Sequence, residues 1–186
     1  MKNKLFILLF TSCIIMSGCA GTVSSSRAPS PDNVTSERAE QFIKNGWDFT
    51  IGHSKARVIE NLGKPLDIVV TPIEHHAALS PRVQNDMPPD ESIDLAYDGL
   101  RVGIYRAVHE NEELLQHVSI TNSTYKVKWA LGIGCAKSAV RVVLGKPTET
   151  DENADVYVTP HTTSSYVQFT YKNDIVKKIE WWYFLD

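Results

Sequence analysis

The chain has 186 residues with 19 basic and 22 acidic side chains, and its formal net charge is −3. This balance excludes the strongly basic surface with which proteins bind nucleic acid or anionic lipid headgroups. Without a short N-terminal leader and a tether of about a dozen residues, about 150 residues remain, which suits one compact domain or two small repeats.

The N-terminus has the layout of a secretory signal, in which two lysines precede an apolar run over residues 5–15. The run is shorter than the roughly 20 residues that a membrane-spanning helix needs. Residues 16–19, Met-Ser-Gly-Cys, resemble a lipobox, the processing motif of bacterial lipoproteins. The resemblance implies a signal peptide over residues 1–18 and lipid, palmitate included, on Cys19. The alternative is an ordinary signal cleaved at another small residue.

Lipidation at Cys19 would anchor the protein to a membrane, because two or more acyl chains bind stably where one binds marginally. Ala20 follows the cysteine, and by resemblance to enteric lipoproteins this favours the outer membrane. We therefore expect a protein of the cell envelope that faces the periplasm. Residues 19–34 are rich in Ser, Pro, Gly and Thr, which predicts a flexible tether.

A short helix is predicted after the tether, with Thr35 or Ser36 as its N-cap and Gly46 at its end. Its apolar face would carry Ala39, Phe42 and Ile43.

Three cysteines are present, but one leaves with the signal and Cys19 would carry lipid. Cys135 is then the single thiol of the body, so no intramolecular disulfide is expected. Its apolar neighbours favour an inert core thiol over a reactive one.

Two segments of the body repeat each other at a distance of 82 positions: residues 51–65 and 133–147 are identical at eight of fifteen positions. The pattern predicts a short helix with a glycine before it, apolar residues at helical spacing, and a stop made by a left-handed glycine and a proline. Ser54 can cap the first helix, whereas Ala136 cannot cap the second. The matching positions are Gly52, Val58, Leu62, Gly63 and Pro65 in the first copy and Gly134, Val140, Leu144, Gly145 and Pro147 in the second.

Strand-like sequence follows each predicted helix. We expect an α+β fold of two tandem repeats, 35–125 and 126–186, each a short helix or helix pair followed by a three- to four-stranded antiparallel meander. The predicted strands are 66–71, 93–97, 100–104 and 114–121 in the first repeat and 156–159, 166–171 and 175–183 in the second.

The pattern Gly-x-(Ser/Thr)-x-x-x-Val-x-x-x-Leu-Gly-x-Pro before antiparallel strands resembles the SmpA/OmlA class of small outer-membrane lipoproteins, which includes the BamE subunit of the β-barrel assembly machinery. The tandem pair is similar to the β-lactamase inhibitory protein fold. The resemblance covers most of residues 48–186. It implies a structural role for the matching residues, and none of them is catalytic in that family. A BamE-type chain has one copy of the unit, and this chain has two.

One cluster, Glu74-His75-His76, has the chemistry of metal ligands. Adjacent histidines on a strand point to opposite faces, so exposed loop histidines are the favoured interpretation and no metal site is predicted. The sequence contains no nucleophile elbow, Walker loop, zinc-cysteine pair or dinucleotide fingerprint. We therefore expect no enzyme, no catalytic residue and no cofactor.

The C-terminal segment is dense in aromatic residues. One face of this strand must pack on the helices, and the other is either a recognition surface or covered by the tether or the N-terminal helix. Alternation places Ile179, Trp181 and Tyr183 on one face and Trp182 and Phe184 on the other, so Trp181, Trp182 and Tyr183 are the candidate interaction residues.

Three functional hypotheses follow. The first is a non-enzymatic, lipid-anchored scaffold that contacts a protein of the cell envelope through its sheet and the insertion at 72–91. The second is an inhibitor or immunity-like protein that binds an envelope enzyme or toxin. The third is a metal- or ligand-binding lipoprotein that uses His75 and His76.

Overall fold

A computed structural model of the protein describes four ranges of the chain. Cys19, His75 and His76 lie outside these ranges, as do Phe184 and most of the insertion. The ranges are residues 31–47, 52–73, 88–159 and 165–183.

Three α-helices are present in the described ranges: α1 (Pro31–Asn45), α2 (Lys55–Leu62) and α3 (Lys137–Leu144). Helix α1 begins earlier than the cap predicted at Thr35 or Ser36, and the tether predicted over 19–34 overlaps it. Proline has the φ of a first helical residue and needs no N–H there, so Pro31 is well suited to start the helix. Within the described ranges, no helix combines the length and apolarity needed to cross a membrane.

Eight strands form one antiparallel sheet, which confirms the α+β class. The sheet is larger than the predicted meanders of three or four strands, because β4 and β8 pair with each other and join the two runs of strands. The strand order is β1-β2-β3-β4-β8-β7-β6-β5. The strands are β1 (Asp67–Ile73), β2 (Asp90–Tyr97), β3 (Leu100–Ala107), β4 (Glu112–Ile120), β5 (Glu149–Thr150), β6 (Ala154–Val158), β7 (Tyr166–Lys172) and β8 (Ile175–Trp182).

The helices pack on one face of the sheet and form the core with it. Phe42 of α1 is fully buried, and its ring centroid lies 5.6 Å from those of Phe169 and Trp181. Burial of each large apolar side chain contributes about 1.5–3 kcal/mol relative to exposure. The predicted apolar face of α1, with Ala39 and Ile43, is buried as expected.

Both repeat helices end at a glycine with positive φ. Gly63 has φ 80° and ψ −170°, and Gly145 has φ 83° and ψ −157°. The predicted left-handed conformation is therefore correct in the sign of φ and wrong in ψ. Each glycine leads at once into extended chain and adopts a region of backbone φ/ψ space that is essentially restricted to glycine. Their N–H groups still donate to helix carbonyls, of Ile59 and Arg141, at 2.9 Å.

The two helix starts differ as the sequence predicts. The Ser54 hydroxyl accepts a hydrogen bond from the Arg57 N–H at 3.4 Å, whereas Ala136 provides no side-chain cap. Val58, Val140 and Leu144 are buried in the core. The repeated motif therefore makes the helices that cover one face of the sheet.

Candidate functional site

The two faces of the sheet have different chemistry. One face carries the apolar side chains that pack on the helices, and in the described part of the chain no helix packs on the other. Cross-strand register defines this second face: Asp94, Gly103, His117 and Trp182 are successive partners on β2, β3, β4 and β8. We call it the open face, and its side chains belong to Asp94, Arg101, His117, Ser119, Tyr166, Gln168, Lys178, Glu180 and Trp182.

A cavity of about 540 Å³ lies on the open face over the junction of β4 and β8. Asp94, Arg101, Lys178 and Glu180 supply charged groups to its lining, and Trp182 supplies an aromatic one. A site with both polar and aromatic groups in a concave surface is suited to binding. The cavity therefore marks the best candidate site in the described part of the chain.

His117 is the most buried titratable group of the open face, with 8% of its surface exposed. Its ring centroid lies 4.1 Å from that of Trp182, at an interplanar angle of 34°. Its Nε2 atom is buried without a hydrogen-bond partner, and the Oε1 atom of Glu180 is 3.6 Å away. Buried polar atoms are nearly always satisfied, and the Glu180 carboxylate, just beyond hydrogen-bond distance, is the group that this atom faces.

Glu180 lies at the centre of the charged groups. His117 and a 2.7 Å ion pair with Lys178 stabilise its carboxylate, and together they outweigh burial and hold the pKa of Glu180 below its usual value. Burial, and secondarily the charge of Glu180, raises the pKa of Tyr166. The tyrosine stays protonated near neutral pH and can donate a hydrogen bond.

A second polar cluster lies on the other side of the molecule around Asp155. This side chain has no exposed surface, and Arg141 donates to both of its oxygens at 2.7 and 2.8 Å. Thr150 and Tyr171 donate to it as well, at 2.7 and 3.1 Å. All of these groups are paired with each other, which indicates a structural role.

Edge strand β1 exposes apolar side chains, with Leu66 just before it 78% exposed. However, the Ile68 N–H donates to the Asp67 carboxylate at 2.9 Å, and Pro72 has no N–H to donate. An edge strand whose backbone N–H groups are already hydrogen-bonded or absent pairs less readily with another chain. This edge is therefore a poor site for addition of a strand.

The structure divides the predicted interaction residues between the two faces. Trp181 is fully buried and its Nε1 donates to the Phe42 carbonyl at 3.2 Å, while Tyr183 donates to the Ile43 carbonyl at 3.2 Å and accepts from Trp47 at 3.0 Å. Helix α1 thus covers this face, so Trp181 is wrong as a surface residue. Trp182 alone of the three belongs to the open face.

The other predicted residues do not meet at a site. Gly52, Leu62 and Pro65 and their counterparts Gly134 and Pro147 belong to the starts and ends of α2 and α3, away from the cavity. Cys135 is half-buried, and burial raises the pKa of its thiol, as expected for an unreactive cysteine.

Sequence reasoning did not single out Asp94, His117 or Glu180 as site residues. The alternation of side chains along β4 and β8 could have identified two of them. It places His117 and Glu180 on the face of each strand opposite to their apolar neighbours. Among the described residues there is no group of three or more side chains that could hold a metal ion. Comparisons with family models, with curated proteins and with solved structures give no match.

Proposed function

We propose that the chain is a non-enzymatic, lipid-anchored lipoprotein of the bacterial outer membrane that binds a protein partner in the periplasm through its open face. The observation that carries the proposal is the cavity over the β4–β8 junction, where Trp182 and the buried His117 lie among charged groups. Tryptophan surrounded by polar groups is typical of protein interfaces. The insertion at 72–91 remains part of this hypothesis.

The two halves of the chain are, in this proposal, tandem copies of one unit, as the resemblance to SmpA/OmlA lipoproteins and to the β-lactamase inhibitory protein fold implies. Each half has a helix before four strands, and the fourth strands meet at the centre of the sheet. In both halves a tyrosine of the second strand donates to the carbonyl of the glycine that ends the helix: Tyr97 to Gly63 and Tyr157 to Gly145, each at 3.2 Å.

The anchor is tested by Cys19→Ala. Without an acylated cysteine the protein loses its stable attachment, because a chain with a formal net charge of −3 has no excess of basic residues to hold it on the membrane. We expect the variant in the soluble periplasmic fraction after cell lysis and the unmodified chain in the outer-membrane fraction, measured by immunoblotting. A variant that stays in the membrane fraction would refute lipidation at this residue.

The interaction surface is tested by photo-crosslinking in the bacterial host. A photoreactive benzoylphenylalanine at Arg101 or Gln168 of the open face is expected to give a discrete crosslinked band. The same group at Val142, an exposed residue of α3, is the control and is expected to give none. Crosslinks at Val142 but not at the open face would place the interface on the helices and refute the proposal.

The tandem arrangement also favours a second function, an inhibitor or immunity-like protein, since a long continuous sheet offers one broad surface to a single enzyme or toxin. The identity of the protein crosslinked at Arg101 or Gln168 separates the two functions. A structural or assembly protein of the envelope supports the scaffold, and a hydrolase or toxin supports the inhibitor.

A further inference from the structure

One carboxylate oxygen of the open face lies within reach of two basic side chains. The Oε1 atom of Glu180 forms its ion pair with the Lys178 ammonium at 2.7 Å, and the Nε2 atom of His117 lies 3.6 Å from the same Oε1. Within the described residues, this Nε2 atom is buried without a hydrogen-bond partner. A lysine is charged at neutral pH, whereas an imidazole changes its charge between about pH 5 and pH 8. Protonation of His117 therefore decides whether one cation or two compete for this oxygen.

The charges around His117 balance while its ring is neutral. The titratable or charged side chains on the neighbouring strands are Asp94 of β2, Arg101 and Tyr105 of β3, Lys178 and Glu180 of β8, and Tyr166 of β7. The tyrosines stay neutral, because a hydrogen bond to Asp90 raises the pKa of Tyr105 to about 12 and burial raises the pKa of Tyr166. Two carboxylates thus face two cations, and a proton on His117 adds one positive charge to this set.

The two competitors for Glu180 differ in their access to water. The Lys178 side chain is 41% exposed, so water can replace the carboxylate as the partner of its ammonium. The His117 side chain is only 11% exposed, and a buried charge is costly unless it is paired. A protonated His117 therefore needs Glu180 more than Lys178 does.

Trp182 is a second partner for a charged ring. Its ring centroid lies 4.1 Å from that of His117, and the two rings are tilted by 34°. A cation close to an indole is attracted by the negative face of the ring. The indole of Trp182 therefore also senses the charge on His117.

We propose that His117 is a pH-sensitive switch of the open face: protonation of its imidazole pairs Nε2–H with the Glu180 carboxylate and releases the Lys178 ammonium to solvent. The proton comes from water, and no other group gains or loses one. Lys178 and Arg101 then both present positive charge to the cavity, so an acidic surface of a partner binds more tightly at lower pH. This effect on binding rests on the proposed function of the open face, whereas the switch belongs to the chain alone.

Nuclear magnetic resonance spectroscopy of the purified chain between pH 8 and pH 5 tests the switch. The His117 and Lys178 hydrogen bonds hold the pKa of Glu180 below its usual value, so its carboxylate stays charged over this range. We expect the His117 ring, the Trp182 indole N–H and the ε-CH₂ group of Lys178 to shift with one common midpoint. A Lys178 signal that stays constant while His117 takes up its proton would overturn the proposal, as would a His117 ring that stays neutral down to pH 5.

His117→Gln and His109→Gln form a matched pair of variants. His109 is an exposed histidine of the turn between β3 and β4, and its loss is expected to leave the Lys178 shift at its wild-type size. His117→Gln is expected to abolish that shift. Glu180→Gln is expected to abolish it as well, because Lys178 is then already released at pH 8.

Circular dichroism shows whether each variant is folded. A Lys178 shift of wild-type size in folded His117→Gln would refute the switch, because another group would then control the ion pair. If His117→Gln does not fold, the common midpoint in the wild type decides the question.

The outcome differs from failure of the proposed function. A common midpoint without crosslinks at Arg101 or Gln168 would support the switch and reject the protein interface. Crosslinks at these positions with an unchanged Lys178 signal would support the interface and reject the switch.

Discussion

Trp181→Ala is expected to lower the free energy of unfolding by about 3–5 kcal/mol. The side chain is fully buried, and its ring lies 5.6 Å from that of Phe42. Its Nε1 also donates to the Phe42 carbonyl, so truncation leaves both a cavity and an acceptor without its partner. Urea denaturation followed by circular dichroism measures the change.

Trp182→Ala is the matched control for this prediction. Trp182 is the next residue, yet it lies on the open face, where its contacts are with His117 and Tyr166. Losing such cross-strand pairs costs about 1 kcal/mol or less. We therefore expect a folded protein that no longer crosslinks from the open face. Equal destabilisation by the two substitutions would contradict the assignment of these tryptophans to opposite faces.

The sequence predicted that the two tryptophans lie on opposite faces, because side chains alternate along a strand. It did not predict which face is covered, since this depends on contacts such as that between Trp181 and Phe42, 139 residues apart. The alternation of side chains shows which residues share a face of the strand, but not what packs on that face. Packing of α1 determines which face is covered.

The size of the sheet was missed for a similar reason. Local sequence identifies β4 and β8 separately, but their pairing brings Val118 opposite Trp181 and Ile120 opposite Ile179. Strand β5 has two residues, which is too short for any period to be detected. The helices were better predicted, because caps, glycine stops and apolar spacing are local signals.

The candidate site depends on the register in which the strands pair, and this register cannot be deduced from a single sequence. Gly103, His117 and Trp182 become neighbours only through the pairing of β3, β4 and β8. A slip of one residue on β4 would move His117 to the core face and Val118 to the open face. Burial of Val118 fixes the register, and the core thereby positions the polar residues of the opposite face.

Asp155→Asn is expected to destabilise the second half by about 3 kcal/mol, the lower end of the range for a broken buried ion pair. The lower end applies because the Arg141 side chain is 42% exposed and can be rehydrated, while Thr150 and Tyr171 keep only a neutral partner. Glu149→Ala on the neighbouring strand is the control. That residue is exposed, so its loss is expected to stay within about 0.5 kcal/mol.

Because of Asp155, the free energy of unfolding is also expected to depend on pH, in a direction that its pKa determines. Burial alone raises the pKa of Asp155, but hydrogen bonds from Arg141, Thr150 and Tyr171 outweigh it and hold the pKa below its usual value. The folded state therefore binds this proton more weakly than the unfolded state, and the stabilisation is fully present above the unfolded pKa of about 3.9. It is lost as the pH falls through the folded pKa.

Unfolding curves of the wild type and of Asp155→Asn, collected between pH 7 and pH 3, test this sign. The gap in unfolding free energy is expected to be constant down to about pH 5 and to narrow below about pH 4, since only the wild type carries the titrating carboxylate. A gap that stays constant or widens at low pH would contradict it. In that case the carboxylate of Asp155 would contribute to stability through shape and hydrogen bonding, and not through the charge that Arg141 pairs with.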